Sequence, residues 1–273
     1  MAHYAVSVKP SPVTPSPAAT LVLLRDRAAG GFDILLMQRH LKSKFAAGDF
    51  VFPGGKLHAD DNPEDAAAWC AGLEIGNAAQ VLGLAHAPRT ALAYWIGAIR
   101  ETFEEVGVLL ARDADGGPAR VSAPRFAEYR RACQTDNQAF WSMVKTERFT
   151  LSTDRLVYFA HWVTPEDLPL RFDTRFFAAQ MPEGQDAIGD DHEVIALRWA
   201  SPREALDAQK RGELSLRYPT IRNLMLFDGA ASAEDALRRL HGRAIPEVRP
   251  RVFIEDGKRR VVIPGDPEYD QVS

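Results

Sequence analysis

Three glutamates, Glu101, Glu104 and Glu105, are the residues whose types and spacing most directly suggest chemistry. Residues three and four positions apart share one face of a helix, so their carboxylates converge within a few ångströms. In most helices such a cluster is only a solvated acidic face. It can also supply the hard oxygen ligands that Mg²⁺ and Mn²⁺ select, especially where phosphates complete the coordination.

The neighbouring sequence favours a metal site over a plain surface. Apolar residues recur at three- and four-residue steps over residues 92–110, which predicts an amphipathic helix that carries the glutamates. Gly107 is suited to end that helix. Ahead of it, residues 50–52 predict a short strand that stops at Pro53-Gly54-Gly55, where the backbone must bend sharply or approach another group closely.

The other elements form a mixed series of strands and helices. Strands are predicted from apolar runs, and helices from periodicity and from the Ser201-Pro202 start signal. The strands are expected at 19–24, 32–37, 156–163, 174–179 and 194–199, and the helices at 124–134, 137–146, 202–210 and from about Pro219.

These residues resemble the signature of the Nudix hydrolases, Gly-x5-Glu-x7-Arg-Glu-U-x-Glu-Glu-x-Gly-U, where U is a bulky apolar residue. Gly55 opens the motif, and the run from Arg100 to Val108 matches its second half with the correct spacing. Asp61 stands where the first glutamate is expected, and residues 62–99 number 38 where the pattern has seven. Widening a loop by this amount costs roughly 1.5 kcal/mol of closure entropy, so both halves can still meet.

The resemblance implies a fold of the α/β (α+β) class, a Nudix-type α/β/α sandwich with a mixed β-sheet between helices. The interrupted motif is similar to the branch of the superfamily that includes the mammalian peroxisomal coenzyme A diphosphatase. The expected parts are a flexible Pro-rich leader at 1–17, a Nudix domain at 18–240 with an insertion at 62–92 and a helical addition at 111–150, and a C-terminal extension at 241–273 with a β-hairpin turning at Asp256-Gly257.

The resemblance also implies a reaction, metal-assisted hydrolysis of a diphosphate linkage in a nucleoside-diphosphate-linked small molecule. Glu101, Glu104 and Glu105 would be metal ligands for Mg²⁺, with Mn²⁺ as an alternative, and the Gly55 carbonyl would be a further ligand. These glutamates are therefore the candidate catalytic residues.

Four residues would support the site structurally. By resemblance, Asp61 pairs with Arg100 and holds the neck of the insertion together. Gly54 belongs to the turn before the motif, and Gly107 ends the helix.

The catalytic base would be Glu101 or a carboxylate on a later loop, where Glu193 is selected just ahead of a predicted strand. An ordinary polar loop is the alternative. Arg39 and Lys42 form a local basic cluster that could contact phosphates, although a solvated basic loop explains it equally well. Arg175 lies in an Asp-Thr-Arg-Phe-Phe segment similar to the same branch and is a further candidate for substrate binding.

Coenzyme A or an acyl derivative is the first specific substrate expected, by analogy within that branch. ADP-ribose, NADH and dinucleoside polyphosphates are alternatives, since enzymes acting on them share the motif. A non-catalytic nucleotide sensor is a different class of function, but sensors commonly lose these carboxylates or gain a DNA-reading helix pair. An idle scaffold would show no metal-dependent turnover.

The net charge and the cysteine content limit which binding partners and which compartment are expected. A net charge of −4 gives no general attraction to the phosphates of DNA, RNA or anionic lipid, so neither nucleic acid nor a membrane is expected as a partner. The two cysteines, Cys70 and Cys133, lie far apart and form no CxxC motif, which favours the reducing cytoplasm. The oligomeric state is left open.

Overall fold

The computed structural model describes residues 13–43, 46–190, 193–255 and 258–271. The strands are β1 (Ser16–Asp26), β2 (Phe32–Arg39), β3 (Phe50–Val51), β4 (Gly54–Lys56), β5 (Ala111–Arg112), β6 (Thr150–Leu151), β7 (Val157–Val163), β8 (Phe172–Gln180), β9 (Val194–Ala200), β10 (Glu247–Val248), β11 (Arg251–Glu255) and β12 (Lys258–Val262). The helices are α1 (Ile75–Leu82), α2 (Pro88–Val106), α3 (Pro124–Cys133), α4 (Gln138–Thr146), α5 (Pro202–Lys210), α6 (Tyr218–Phe227) and α7 (Ala233–Leu240).

The main sheet is mixed. Its strand order is β10-β7-β8-β1-β2-β3, with β4 paired to β1 and β9 paired to β2. The long central strand β1 runs parallel to β8 and antiparallel to β2 and β4. Strand β4 pairs with the first half of β1, and this pairing brings Gly54 and Gly55 into the middle of the sheet.

Alternating side chains of the central strands bury both faces of the sheet. Leu21 and Leu23 of β1 pack into a core with α1 to α4, whereas Val22 and Leu24 pack into a second core with α5 to α7. This alternation is the two-residue period of a strand buried on both sides. The predicted α/β/α sandwich is therefore confirmed.

Helix α2 carries the three glutamates and is almost entirely buried. Pro88 occupies its first turn, where a missing N–H costs nothing, so the helix starts four residues before the predicted position at 92. At the other end, Gly107 adopts a left-handed conformation with φ 71°, and its N–H donates to the Phe103 carbonyl at 3.0 Å. That conformation favours glycine.

The additions to the sandwich contact its central helix and its sheet. Within the insertion predicted at 62–92, α1 packs on α2, and the residues from Pro88 onward are part of α2 itself. In the predicted C-terminal extension, β10 adds a parallel edge strand next to β7, and β11 and β12 pair antiparallel. The hairpin turn at 256–257 lies outside the described residues.

Two elements differ from the sequence prediction near the chain ends. Strand β1 begins at Ser16, because residues 16 and 17 pair with Phe172 and Asp173 of β8, so the predicted leader at 1–17 overlaps the sheet. Residues 1–12 of that leader lie outside the described part of the chain. Helix α7 was not predicted, although Ser232 caps it by accepting from the Asp235 N–H at 3.0 Å.

Candidate active site

Two adjacent glycines let the turn after β3 lie between β1 and α2. A Cβ on Gly54 would lie 2.4 Å from the Ala19 carbonyl oxygen, and a Cβ on Gly55 would lie 2.6 Å from the Glu101 carboxylate. Backbone atoms of β1 therefore require glycine at position 54, whereas a side chain at position 55 would displace the Glu101 carboxylate. The same close approach places Glu101 directly against the backbone of Gly55.

A buried ion pair joins the two ends of the insertion. Arg100 Nε donates to Asp61 Oδ1 at 2.6 Å, and Arg100 Nη2 donates to Asp61 Oδ2 at 3.0 Å. Nη2 also donates to the Lys56 carbonyl at 2.9 Å. Arg100 and Asp61 are only 2% and 1% exposed. This is the pairing implied by the resemblance, and it fixes the loop after Gly55 to the middle of α2.

The same guanidinium holds two of the three glutamates. Arg100 Nη1 donates to Glu101 Oε1 at 2.9 Å and to Glu104 Oε2 at 3.0 Å. Its fork therefore fixes the Asp61 carboxylate on one side and the Glu101 and Glu104 carboxylates on the other. Arg100 therefore holds both carboxylates on one side of its guanidinium, and Glu101 lies against Gly55.

The third glutamate is held by the turn itself. The Gly54 N–H donates to Glu105 Oε2 at 2.7 Å, and Arg39 Nη1 lies 3.4 Å from Glu105 Oε1. Arg39 also contacts Glu193, whose Oε2 lies 3.7 Å from Nη2. The side chain of Glu193 is largely exposed, so it faces the open side of the carboxylate cluster.

Burial makes these carboxylates hard to ionise in the protein alone. Burial is the largest cause of the raised pKa of Glu104, which moves from 4.5 to about 7. Burial, followed by repulsion from Glu101, raises the pKa of Glu105 well above its ordinary value. Burial also raises the pKa of Glu101, against the opposing effect of Arg100. Clustered carboxylates with this electrostatic cost are typical of functional sites.

The donor set fits a divalent cation. Glu104 Oε1 is buried and has no hydrogen-bond partner, and three carboxylates with one backbone carbonyl are the hard oxygen ligands that Mg²⁺ prefers. Across the described ranges, no group of three His, Cys, Asp or Glu side chains is already arranged around one point as a metal cluster. In the protein alone, Arg100 and the Gly54 N–H hold the carboxylates.

The sequence of the chain matches a known protein family. A family model described as the NUDT19 Nudix domain matches residues 6–226. The chain belongs to this Nudix family. Its members are hydrolases of phosphoric anhydrides that need divalent metal ions, so this chain is a Nudix hydrolase and α2 is its Nudix helix.

Individual relatives agree with the family. The Homo sapiens protein named acyl-coenzyme A diphosphatase NUDT19 is 28% identical over 312 residues, covering 96% of this chain and 82% of the relative. The Gallus gallus protein of the same name is 28% identical over 254 residues, covering 78% and 66%. A crystal structure of a NUDIX hydrolase from Alicyclobacillus acidocaldarius has a TM-score of 0.69 at 26% identity, covering 85% of this chain and 99% of that chain.

A loop docked on the end of the Nudix helix positions Glu193. The Ile188 N–H donates to the Val106 carbonyl at 2.9 Å. Asp190 Oδ1 then accepts from the backbone N–H groups of Glu193 and Val194, both at 2.9 Å. Asp190 therefore fixes the backbone of Glu193, whose side chain lies beside Arg39. His192, in the same loop, lies outside the described residues.

The helical addition braces this arrangement through contacts that the sequence did not reveal. Arg130 of α3 donates from Nε to the Glu104 carbonyl at 2.8 Å and from Nη1 to the Ile188 carbonyl at 2.7 Å. Trp141 of α4 donates from Nε1 to the Asp60 carbonyl at 2.7 Å. Both partners are backbone groups far along the chain, so neither periodicity nor a motif could identify them.

The predicted substrate residues have different outcomes. Arg39 contacts Glu105 and Glu193 in the site, and Lys42 is exposed a few residues further on. Arg175 is 5% exposed; it pairs with Asp173 at 2.9 Å and stacks 4.4 Å from the centre of the Tyr94 ring. Its neighbours Thr174 and Phe176 point to the opposite face of the sheet. The side chain of Arg175 is thus held by Asp173 and Tyr94 inside the protein.

An apolar cavity of about 410 Å³ adjoins the carboxylate site. Gly54 and Arg39, which both contact Glu105, are among its lining residues. The remaining walls come from β7, β8, the segment before α6 and the C-terminal hairpin. Its size is in the range of small-molecule sites.

The buried Arg100–Asp61 pair predicts a large effect on stability. Asp61→Asn should lower the free energy of unfolding by on the order of 3 kcal/mol, because it removes the most buried of the three carboxylates that pair with the buried Arg100 guanidinium. Urea unfolding measures this value. The matched control is Glu213→Gln, which breaks the exposed pair with Arg211 and should leave the free energy of unfolding close to that of wild type. Equal losses in the two variants would contradict the clamp.

The raised pKa of Glu104 predicts a pH dependence in the absence of divalent ions. Between pH 4.5 and about 7 the folded protein binds more protons at Glu104 than the unfolded chain does, so stability falls as pH rises through this window. In EDTA, Glu104→Gln should reduce that slope and raise the free energy of unfolding at pH 8 by on the order of 2 kcal/mol. Glu128→Gln, on the exposed side of α3, is the control. A slope identical in Glu104→Gln and wild type would refute the prediction.

Proposed function

We propose that this Nudix hydrolase is a coenzyme A and acyl-coenzyme A diphosphatase, which releases 3′-phosphoadenosine 5′-phosphate and 4′-phosphopantetheine or its acyl derivative. The observation that carries the proposal is the gathering of Glu101, Glu104 and Glu105 around Gly55 beside a cavity large enough for part of such a substrate. The names of the human and chicken relatives support the substrate class.

The Arg100 and Gly54 contacts support a set of metal ligands. Glu101, Glu104, Glu105 and the Gly55 carbonyl would hold Mg²⁺, and Mn²⁺ could replace it. When bound, these ions neutralise the diphosphate and polarise the attacking water. Arg100 places two of the carboxylates for this purpose, and the Gly54 N–H places the third.

Glu193 is the proposed base. It accepts a proton from the water as the new bond to phosphorus forms, and the bond between phosphorus and the bridging oxygen breaks to release the second phosphate product. Its exposed carboxylate faces the cluster next to Arg39. Arg39 and Lys42 contact the substrate phosphates, whereas Arg175 stabilises the sheet through Asp173 and Tyr94.

The proposal requires neither nucleic acid nor a membrane as partner. No helix in the described ranges has both the length and the apolar character needed to cross a bilayer. Cys70 and Cys133 are both free thiols, which supports a cytoplasmic location as part of the proposal.

Hydrolysis of a substrate panel tests the function. Wild type should cleave coenzyme A and acyl-coenzyme A with Mg²⁺ or Mn²⁺, to products identified by mass spectrometry, and should be inactive in EDTA. Glu105→Gln should lower kcat by on the order of 10²-fold or more through loss of a ligand, and Glu193→Gln by about 10²-fold through loss of the base. The control Glu128→Gln should match wild type.

Each part of the proposal can fail separately. Equal rates in Glu105→Gln and wild type would defeat the catalytic role of the Nudix helix. Cleavage of ADP-ribose, NADH or diadenosine polyphosphates with no cleavage of coenzyme A would overturn the substrate and leave the chemistry intact. Metal-dependent binding of coenzyme A without turnover would favour a sensor.

A further inference from the structure

The apolar cavity next to the site is the feature from which substrate specificity can be inferred, and the inference rests on the function proposed above. Gly54 and Arg39 line the cavity, and both contact Glu105. A substrate whose diphosphate lies on the glutamates therefore has one of its two halves next to residues that line the cavity. For coenzyme A these halves are 3′-phosphoadenosine and the pantetheine arm.

The cavity lining is suited to an uncharged group. Its described residues are mainly aliphatic and aromatic, with threonine hydroxyls as the commonest polar groups and with Arg39 and Arg217 as the charged ones. Arg39 is paired with Glu105, and Arg217 Nε lies 2.5 Å from Asp49 Oδ2. Burying a phosphate monoester among apolar side chains would be costly. The pantetheine arm has no charge, and it carries two methyl groups, a hydroxyl and two amides.

The C-terminal hairpin closes one side of the cavity. Val252 of β11 and Val261 of β12 are cross-strand partners, so their side chains lie on the same face, and both line the cavity together with Pro250. The family match ends at residue 226, so this wall lies outside the matched Nudix domain.

The hairpin is anchored to the fold. Glu247 and Val248 of β10 pair with β7 of the main sheet immediately before it. Tyr269 then fixes the base of the hairpin, because its hydroxyl donates to the Arg249 carbonyl at 2.8 Å and its ring lies 4.4 Å from the Arg251 guanidinium carbon. The base of the wall is thus held in place.

The opposite walls hold a rigid aromatic surface. Trp162 of β7 and Tyr218 of α6 contact edge to face at 6.1 Å, and the Trp162 Nε1–H donates to Asn223 Oδ1 at 3.1 Å. Leu168 and Phe172, from the β7–β8 connection and the start of β8, complete this side. Such surfaces contribute binding energy through buried apolar area.

We propose that the C-terminal hairpin, through Val252 and Val261, is a specificity wall of a pocket that binds the pantetheine arm of the substrate and excludes the 3′-phosphoadenosine half. The hairpin thereby adds selectivity for coenzyme A and its thioesters to a general diphosphate-cleaving site. Free 4′-phosphopantetheine should occupy the same pocket, since it retains the arm and one phosphate.

Two cavity-filling variants, Val252→Trp and Val261→Trp, test this assignment. The probes are the two reaction products used as inhibitors of coenzyme A hydrolysis. Each variant should raise the inhibition constant of 4′-phosphopantetheine at least tenfold and leave that of 3′-phosphoadenosine 5′-phosphate within twofold. Each methyl-sized group that loses its contact costs about fourfold in affinity, or roughly 0.8 kcal/mol.

The matched control is Ile254→Trp, which places the same side chain on β11 at a position that is 69% exposed and is not part of the cavity lining. It should behave as wild type toward both inhibitors. Circular dichroism and thermal unfolding of the three variants establish that the fold is retained. Because Val252 and Val261 are only half-buried, two independent positions keep the test available if one variant unfolds.

The other outcomes overturn the assignment. Weaker inhibition by 3′-phosphoadenosine 5′-phosphate alone would place the nucleoside in the cavity. Equal weakening of both inhibitors would mean that the hairpin shapes the diphosphate site, and unchanged inhibition would mean that the cavity is not used. Absence of coenzyme A hydrolysis by the wild type would instead overturn the proposed function, which separates the two failures.

Discussion

The pairing of Arg100 with Asp61 is the interaction on which the site depends. It connects the loop after Gly55 to the middle of α2 across the long insertion, and the same guanidinium fixes Glu101 and Glu104. A buried charge must be paired to be tolerated, and Asp61 supplies the two hydrogen bonds that join the guanidinium to the loop of the first half of the motif. The closure entropy of the insertion is small beside this requirement. The motif can therefore be interrupted in sequence while the site stays continuous in space.

The site combines several features that reduce the stability of the folded protein. Gly54 and Gly55 allow the turn to lie against β1 and Glu101 with no room for a side chain. Burial raises the pKa of all three glutamates, so the protein alone stabilises their charge poorly. A divalent cation would relieve that cost. Such features at one place are typical of sites selected for function over stability. The sandwich, with two cores on opposite faces of one sheet, supplies the stability that offsets them.

Local signals in the sequence predicted much of this structure. Periodicity located α2, Gly107 indicated its end, and Ser201-Pro202 indicated the start of α5, because each depends on neighbours along the chain. Contacts between distant segments were not predictable in this way. Arg175 was selected from its sequence neighbourhood, but parallel pairing of β8 with β1 turns it toward Tyr94, on the opposite face of the sheet from Thr174 and Phe176. Arg130 and the hairpin wall gave no signal, since their partners lie far away in sequence.

The most direct measurement of the central claim is diffraction at the manganese absorption edge from crystals grown with Mn²⁺ and a non-hydrolysable coenzyme A analogue. Anomalous scattering locates the ion independently of the protein atoms. We expect a peak about 2.1 Å from oxygens of Glu101, Glu104, Glu105 and the Gly55 carbonyl, with Asp61 still paired to Arg100. Manganese bound elsewhere, with all three glutamates still occupied by Arg100 and the Gly54 N–H, would contradict this expectation.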